Sequence, residues 1–108
     1  MGLRKERNHL SAKSYRVAFI NELNMSDAAD RLKTEKAIDL VVGWKVQCGY
    51  DNENEIIYSL RSDATRLSCS RLAEQYGGGG HVAAAGFSVS YVMQDPITHF
   101  LELFNHAT

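Results

Sequence analysis

The first half of the chain alternates between β-type and helical patterns of apolar residues. Residues 15–20, YRVAFI, combine aromatic and β-branched side chains between polar clusters, which is typical of a strand. Apolar positions then recur at helical spacing over residues 25–33, with Ser26 as the helix cap. Two further β-rich runs, 38–48 and 55–62, flank a turn rich in Gly, Asn and Asp, which predicts a hairpin. This half therefore predicts the order β-α-β-β.

The second half continues with a short helix, a loop, a strand and a last helix. Four apolar residues at helical spacing follow Ser68, and this helix runs into Gly77. Residues 86–92, GFSVSYV, alternate as a strand does, and Asp95 followed by Pro96 opens the last helix. The whole order, β-α-β-β-α-loop-β-α, predicts a single small α/β domain with a mixed β-sheet and packed helices.

Alternation along the strand predicted over residues 55–62 fixes the face on which Arg61 lies. Successive side chains of a strand point to opposite faces. The side chains of Ile57 and Ser59 therefore share a face with Arg61, opposite to Tyr58. Arg61 stands near the end of this strand, so we expect it at an edge of the sheet.

Composition and charge limit the partners of the chain. The 108 residues are 44% apolar and 23% charged, as in an ordinary globular domain, and their net charge is −1. This charge argues against a protein that follows a long nucleic-acid backbone, so any phosphate ligand should be small and held locally. The two cysteines do not form a metal-binding or redox motif. Because no signal peptide or membrane-spanning segment is present in the sequence, we expect a cytoplasmic location without membrane association.

Four glycines, residues 77–80, precede His81, and their conformational entropy makes the run costly to fold. One glycine is expected where a helix ends, which leaves three unexplained. A Walker loop would require a lysine after the run, and a dinucleotide-binding loop would require a strand before it and a helix after it. The remaining interpretation is a loop whose backbone amides face one anion, helped by a helical turn over residues 81–85. His81 would donate to a phosphate oxygen, and Arg61 would bind the same group with its planar guanidinium.

Three sequence motifs resemble the DHH-associated domain of the DHH phosphoesterase family, which includes oligoribonucleases and related exonucleases. These motifs are SLRS at 59–62, the helix that ends in LAEQYGGGGH, and AAGF at 84–87. The resemblance implies an enzyme of two parts, in which a DHH domain binds manganese and activates water while this domain holds a short oligonucleotide or nucleotide phosphoester. It also implies that His81 stabilises charge on the scissile phosphate. The phosphate-binding residues that it implies are Arg61, Ser62, Gly77, Gly78, Gly79, Gly80 and His81.

The chain departs from that family in lacking an Asp-His-His triplet and a pair of aspartates for a two-metal site. We therefore expect no catalysis and no bound metal in this chain alone. Of a free-standing binding domain and a fragment of a longer protein we favour the fragment, with manganese held by a catalytic DHH domain of the same full-length protein. Residues 1–13 would be a linker or the remnant of an interdomain helix, and residues 14–108 the substrate-binding domain.

Two other functions remain open at the level of sequence. One is a non-catalytic RNA-binding module similar to the C-terminal domain of alanyl-tRNA synthetase, against which the net charge of −1 argues. The other is a protein-interaction domain that packs its last helix against a partner, including a second copy in a homodimer. Whether Arg61 and His81 converge on one site does not follow from the sequence.

Overall fold

A single six-stranded sheet with two helices makes up the part of the chain that the computed structural model describes, residues 6–10, 15–21, 37–48, 53–63, 65, 67–90 and 95–107. Within the sheet the strands are ordered β1-β2-β3-β4-β6-β5. β2 and β3 run parallel, and every other neighbouring pair is antiparallel, which confirms the predicted α/β domain with a mixed sheet. In chain order the elements are β1 (Glu6–Leu10), β2 (Arg16–Ile20), β3 (Leu40–Cys48), β4 (Asn54–Arg61), α1 (Cys69–Glu74), β5 (Gly79–His81), β6 (Ala84–Ser90) and α2 (Pro96–His106).

Most of the predicted elements are present at nearly the predicted positions. The strand predicted over 15–20 is β2, and the predicted hairpin is the antiparallel pair of β3 and β4. Ser68 caps α1 by accepting a hydrogen bond from the Arg71 N–H, and Asp95 caps α2 in the same way through the Thr98 N–H. The helix predicted over 25–33 lies outside the described residues. Neither helix in the described part of the chain has the length and apolar character needed to cross a membrane.

The amino-terminal segment differs from the expected linker or helix remnant. Residues Glu6–Leu10 form β1, which pairs antiparallel with β2 from Glu6 opposite Ile20 to Leu10 opposite Arg16. This polar segment has no apolar periodicity that would reveal a strand. Its conformation depends on hydrogen bonds to the edge of β2, because an exposed strand edge offers a row of N–H and C=O groups to a further strand.

The helical turn predicted over residues 81–85 is wrong. The chain instead forms β5, turns at residues 82–83 and returns as β6 from Ala84. Two backbone hydrogen bonds hold the turn, from the Ser62 N–H to the Ala83 carbonyl (3.0 Å) and from the Cys69 N–H to the Val82 carbonyl (2.8 Å). The turn is thus fixed by the end of β4 and the start of α1, which are distant in sequence, and local pattern does not report such contacts.

The main core lies between one face of the sheet and the helices. Tyr58 is fully buried there, with ring centroids 5.3 Å from Phe87 and 5.2 Å from Phe100. Its hydroxyl donates to the Pro96 carbonyl at 2.7 Å, so the ring also anchors the start of α2. Burial, with the nearby charge of Asp95 as a smaller cause, raises the pKa of Tyr58 well above its ordinary value.

The opposite face of the sheet is not uniform. At β2 and β3 it carries a second buried cluster, which consists of Ala18, Ile20, Ile38 and Val41. At β4 and β6 the same face is only partly buried, as at Ser59 and Arg61, or exposed, as at Ser88. This open part of the sheet holds Arg61, and the neighbouring edge strand β5 holds His81.

Candidate functional site

An open groove of about 590 Å³ lies over the partly exposed face of β4 and β6. Its floor is built from alternate residues of the two strands, and the glycine run that follows α1 closes one side. The side chains that β4 contributes are Glu55, Ile57, Ser59 and Arg61, and the floor from β6 consists of Ala84, Gly86 and Ser88. Apart from Ile57 and the two charged residues, the side chains that β4 and β6 direct to the groove face are therefore very small.

The register of β4, β6 and β5 brings Arg61 and His81 to the same face of the sheet. Arg61 pairs with Ala84 on β6, and Ala84 pairs in turn with His81 on β5. Residues directly opposite each other in neighbouring strands point to the same face, and strands lie roughly 4.8 Å apart. Arg61 and His81 thus flank Ala84 in one row, with their backbones about 10 Å apart.

A second row next to it is almost free of side chains. Ser59 on β4 pairs with Gly86 on β6, and Gly86 pairs with Gly79 on β5. This row faces the groove just as the neighbouring one does, since the two are separated by two residues along each strand. A ligand that lies across the sheet here approaches the backbone closely while Arg61 and His81 stand on either side of it.

The Arg61 guanidinium lies half-buried at one end of the groove. Its Nη1 donates to the Leu60 carbonyl at 2.9 Å and reaches the Ser59 Oγ at 3.5 Å, which is the outer limit of a hydrogen bond. These contacts direct the side chain back along β4, over the groove floor. Because Arg has five N–H donors in a planar fork, donors remain for a phosphate group.

His81 lies at the rim, beyond the residues that line the groove, and its side chain is exposed. Its Nδ1 accepts a hydrogen bond from the Ala83 N–H at 3.3 Å. In the neutral imidazole this contact leaves the proton on Nε2, because only the unprotonated nitrogen can accept. His81 therefore presents Nε2 as its donor to a ligand.

The first two glycines of the run end α1. Gly77 has φ +82°, the left-handed conformation in which a helix commonly terminates. The Gly77 N–H donates to the Glu74 carbonyl at 3.3 Å and the Gly78 N–H to the Ala73 carbonyl at 2.9 Å, the paired bonds of a Schellman motif. Both amides are engaged within the protein, in contrast to the expectation that the run offers them to an anion.

Close packing against β6 requires glycine at two positions of the run, whereas no packing contact requires it at Gly79. A Cβ on Gly78 would lie 2.1 Å from the Gly86 carbonyl oxygen, and one on Gly80 would lie 2.6 Å from Ala85 Cα. A Cβ on Gly79 would meet no atom within 4 Å, and its φ is not in the left-handed region. Of these four glycines, all in the described part of the chain, Gly79 alone has no requirement from the fold.

The two serines of the SLRS motif face opposite sides of β4. Ser62 is 6% exposed, and its hydroxyl donates to the Leu67 carbonyl at 3.0 Å and accepts from the Cys69 thiol at 3.3 Å. Burial raises the pKa of that thiol, an effect opposed by the Ser62 hydrogen bond and the charge of Arg61. Ser59, which the sequence reasoning passed over, lines the groove instead. The alternation that places Arg61 was the signal for Ser59 as well.

Metal-ligating side chains do not cluster in the part of the chain that the structure describes. No three His, Cys, Asp or Glu side chains come together there as a metal site. Cys48 is exposed and Cys69 buried, and neither forms a disulfide. The described residues therefore do not fit a manganese ion.

Comparisons with known proteins identify the family. The family model of the DHHA1 domain matches residues 12–108, and the chain therefore belongs to the DHHA1 domain family, as its motifs predicted. DHHA1 domains accompany a catalytic DHH domain in DHH-family proteins. No curated protein matches this chain in sequence.

The fold is also similar to solved structures, including one described as a pGpG-specific phosphodiesterase, PggH, from Vibrio cholerae. The two chains are 12% identical, with a TM-score of 0.58. The similarity covers 95% of this chain and 36% of that one, so this chain spans about a third of its length.

Proposed function

We propose that the groove binds the phosphate of a short oligonucleotide or dinucleotide, and that this chain is the substrate-binding domain of a manganese-dependent DHH-family phosphoesterase. The observation that carries the proposal is the row Arg61–Ala84–His81, in which two donor side chains flank a small residue on the open face of the sheet. Metal and activated water would come from the catalytic DHH domain, since the described residues of this chain offer no metal site.

The groove suits a phosphate for reasons of charge and of space. The Arg61 guanidinium supplies a bidentate donor from the β4 side, and His81 offers its Nε2–H from the β5 side. Between them Ala84 and Gly86 leave room for the oxygens to approach the backbone. Glu55 stands at the far end of the groove, six residues along β4 from Arg61, and accepts a hydrogen bond from Gln47 Nε2 at 3.0 Å.

Gly79 is the glycine that this function explains. A side chain at Gly79 would project into open space on the groove face, where we place the ligand. The alternation of a strand's hydrogen-bonding groups also directs every second N–H of β5 outward, because β5 is an edge strand. The other three glycines shape the loop, and Gly79 keeps the site open.

The role of the chain in the reaction is to hold and orient the substrate. Arg61 and His81 would bind the phosphate and offset the charge that grows on it in the transition state, provided that the catalytic domain closes over the groove. The proposed substrate class follows from the single positive charge that Arg61 places at one end of the groove, and the activity named for the Vibrio cholerae protein makes pGpG a suitable probe.

Calorimetric titration of this chain with pGpG tests the proposal. We expect saturable binding that weakens roughly 10- to 100-fold in Arg61→Gln, the loss of a charged hydrogen-bonding partner. Arg71→Gln is the matched control, because Arg71 is exposed on α1 outside the groove and the change in charge is identical. Equal affinities for the parent and Arg61→Gln would contradict the proposal, as would a parent that fails to bind.

The salt dependence of the same titration separates a local phosphate site from an RNA-binding module. Each phosphate neutralised on a single strand contributes about 0.7 to the slope of log affinity against log salt. A site built on Arg61 and His81 should give a slope of about 1 or less with pGpG, and longer RNA should not steepen it. A salt dependence that becomes steeper with RNA length would favour the RNA-binding module.

A further inference from the structure

We infer that Ser59, rather than Ser62, supplies the hydroxyl that contacts the ligand phosphate beside Arg61, and that Ser62 is a positioning residue. The inference rests on the proposed function and assigns a new binding residue to its groove. The sequence motif treats the two serines alike, since each is close to Arg61 in the chain. Their surroundings in the fold are opposite.

The neighbours of Ser59 leave its hydroxyl accessible to a ligand. Ser59 pairs with Gly43 on β3 and with Gly86 on β6, so neither adjacent strand places a side chain beside it. The residue is half-buried because it lies in the floor of the groove, among the residues that line it. A ligand that extends from Arg61 toward Gly79 would cross β6 at Ala84 and Gly86, with Ser59 beside it on β4.

The hydrogen bonding of Ser59 leaves its proton available. Its Oγ accepts the long 3.5 Å contact from Arg61 Nη1, and the hydroxyl donates to no group in the described part of the chain. A serine hydroxyl has one donor and two acceptor positions, so this arrangement keeps the donor for a phosphate oxygen. The same contact places the Arg61 guanidinium next to the Ser59 hydroxyl.

Ser62, by contrast, forms hydrogen bonds with groups inside the fold. Its hydroxyl both donates, to the Leu67 carbonyl, and accepts, from the Cys69 thiol, and its N–H donates to the Ala83 carbonyl. These bonds link the end of β4 to the start of α1 and to the turn that follows His81. Ser62 thereby fixes the relative positions of Arg61 and His81 without facing the groove.

Four serine variants separate binding from positioning. We would measure pGpG affinity and the thermal midpoint Tm for Ser59→Ala, Ser59→Thr, Ser62→Ala and Ser90→Ala. The last is the matched control, because Ser90 is an exposed serine of β6 that does not line the groove. Affinities are measured well below the lowest Tm, so that every variant is folded.

We expect Ser59→Ala to bind pGpG roughly 10-fold more weakly with an unchanged Tm, and Ser59→Thr to regain most of the affinity through its hydroxyl. Ser62→Ala should instead lower Tm by roughly 4–8 °C, because it leaves buried partners unpaired. Ser90→Ala should change neither quantity.

The outcomes distinguish this inference from the proposed function. If Arg61→Gln loses affinity while Ser59→Ala binds as the parent does, the inference is wrong and the groove remains the binding site. If Ser62→Ala loses affinity as much as Ser59→Ala with an unchanged Tm, the assignment of the two serines is wrong. A parent that does not bind pGpG overturns the proposed function, and the role of Ser59 with it.

Discussion

The two faces of the sheet at β4 and β6 have opposite environments. On one face, Tyr58, Leu60 and Phe87 are buried in the main core under the helices. On the other, Ser59 and Arg61 lie in an open groove. A shift of one residue along β4 is enough to pass from one environment to the other, because strand side chains alternate.

Substitutions at neighbouring positions of these strands should therefore alter different properties of the protein. On the core face, apolar area and close packing determine stability. On the groove face the side chains other than Ile57 are small or charged, and little stability depends on them. We therefore expect changes on the first face to alter the free energy of unfolding and changes on the second to alter affinity.

The largest effect should come from the core face of β4. Leu60→Ala removes a fully buried side chain and should cost about 2–5 kcal/mol in the free energy of unfolding. Ile57→Ala, three residues earlier on the groove face, should cost clearly less because Ile57 is only half-buried. Urea denaturation of both variants checks this, and equal losses would show that the faces do not differ.

The glycine run allows the sharpest contrast between adjacent positions. Gly78→Ala drives a Cβ to within 2.1 Å of the Gly86 carbonyl and should destabilise the fold by about 1–3 kcal/mol or more. Gly79→Ala meets open space and should leave stability within about 0.5 kcal/mol while weakening pGpG binding. Urea denaturation and calorimetry on both variants measure the two quantities. A Gly79→Ala protein with full affinity would leave this glycine without a function.

A smaller effect is expected from the Tyr58 hydroxyl. Tyr58→Phe loses the hydrogen bond to the Pro96 carbonyl and should cost about 1 kcal/mol near neutral pH, with pGpG affinity unchanged. The folded state raises the pKa of Tyr58, so the unfolded chain ionises first as pH rises. Stability of the parent should therefore fall above roughly pH 10, and the deficit of the variant should shrink there. A stability difference between parent and variant that grows with pH would contradict this prediction.

The mildest test compares the two thiols and requires no substitution. Cys48 is exposed, whereas Cys69 is buried with a raised pKa. A thiol reagent should therefore modify Cys48 in the native protein and Cys69 only after denaturation, since the thiolate is the reactive form. Mass spectrometry after native labelling counts the modified sites. Rapid labelling of Cys69 would mean that the contact with Ser62 opens readily.

Elements with a strong side-chain pattern could be predicted from the sequence. β2, the β3–β4 hairpin and α2 follow from apolar periodicity and from the Asp95–Pro96 start, and the face of Arg61 follows from alternation alone. β1 and β5 escaped prediction because each is a strand only through backbone pairing with a neighbour. Side-chain pattern does not encode such pairing.

The candidate site could also be predicted only in part from the sequence. Its phosphate-binding class was suggested by the glycine run with Arg61 and His81, but the roles of individual glycines depend on what a Cβ would meet in the folded chain. Alternation along β4 places Ser59 on the face of Arg61, whereas the role of Ser62 depends on its hydrogen bonds to Leu67 and Cys69. Contacts across the fold, rather than local sequence, assign Ser62 and the individual glycines.

The most direct test of the groove is an NMR titration of the chain with pGpG, observed at the backbone amides and the Arg61 side chain. We expect saturable shifts along the groove-face rows, at Ser59, Gly79, His81 and Ala84, with the amides of α2 unmoved. Saturable shifts confined to α2, or to any surface that leaves Arg61 and Gly79 unchanged, would contradict the proposed binding site.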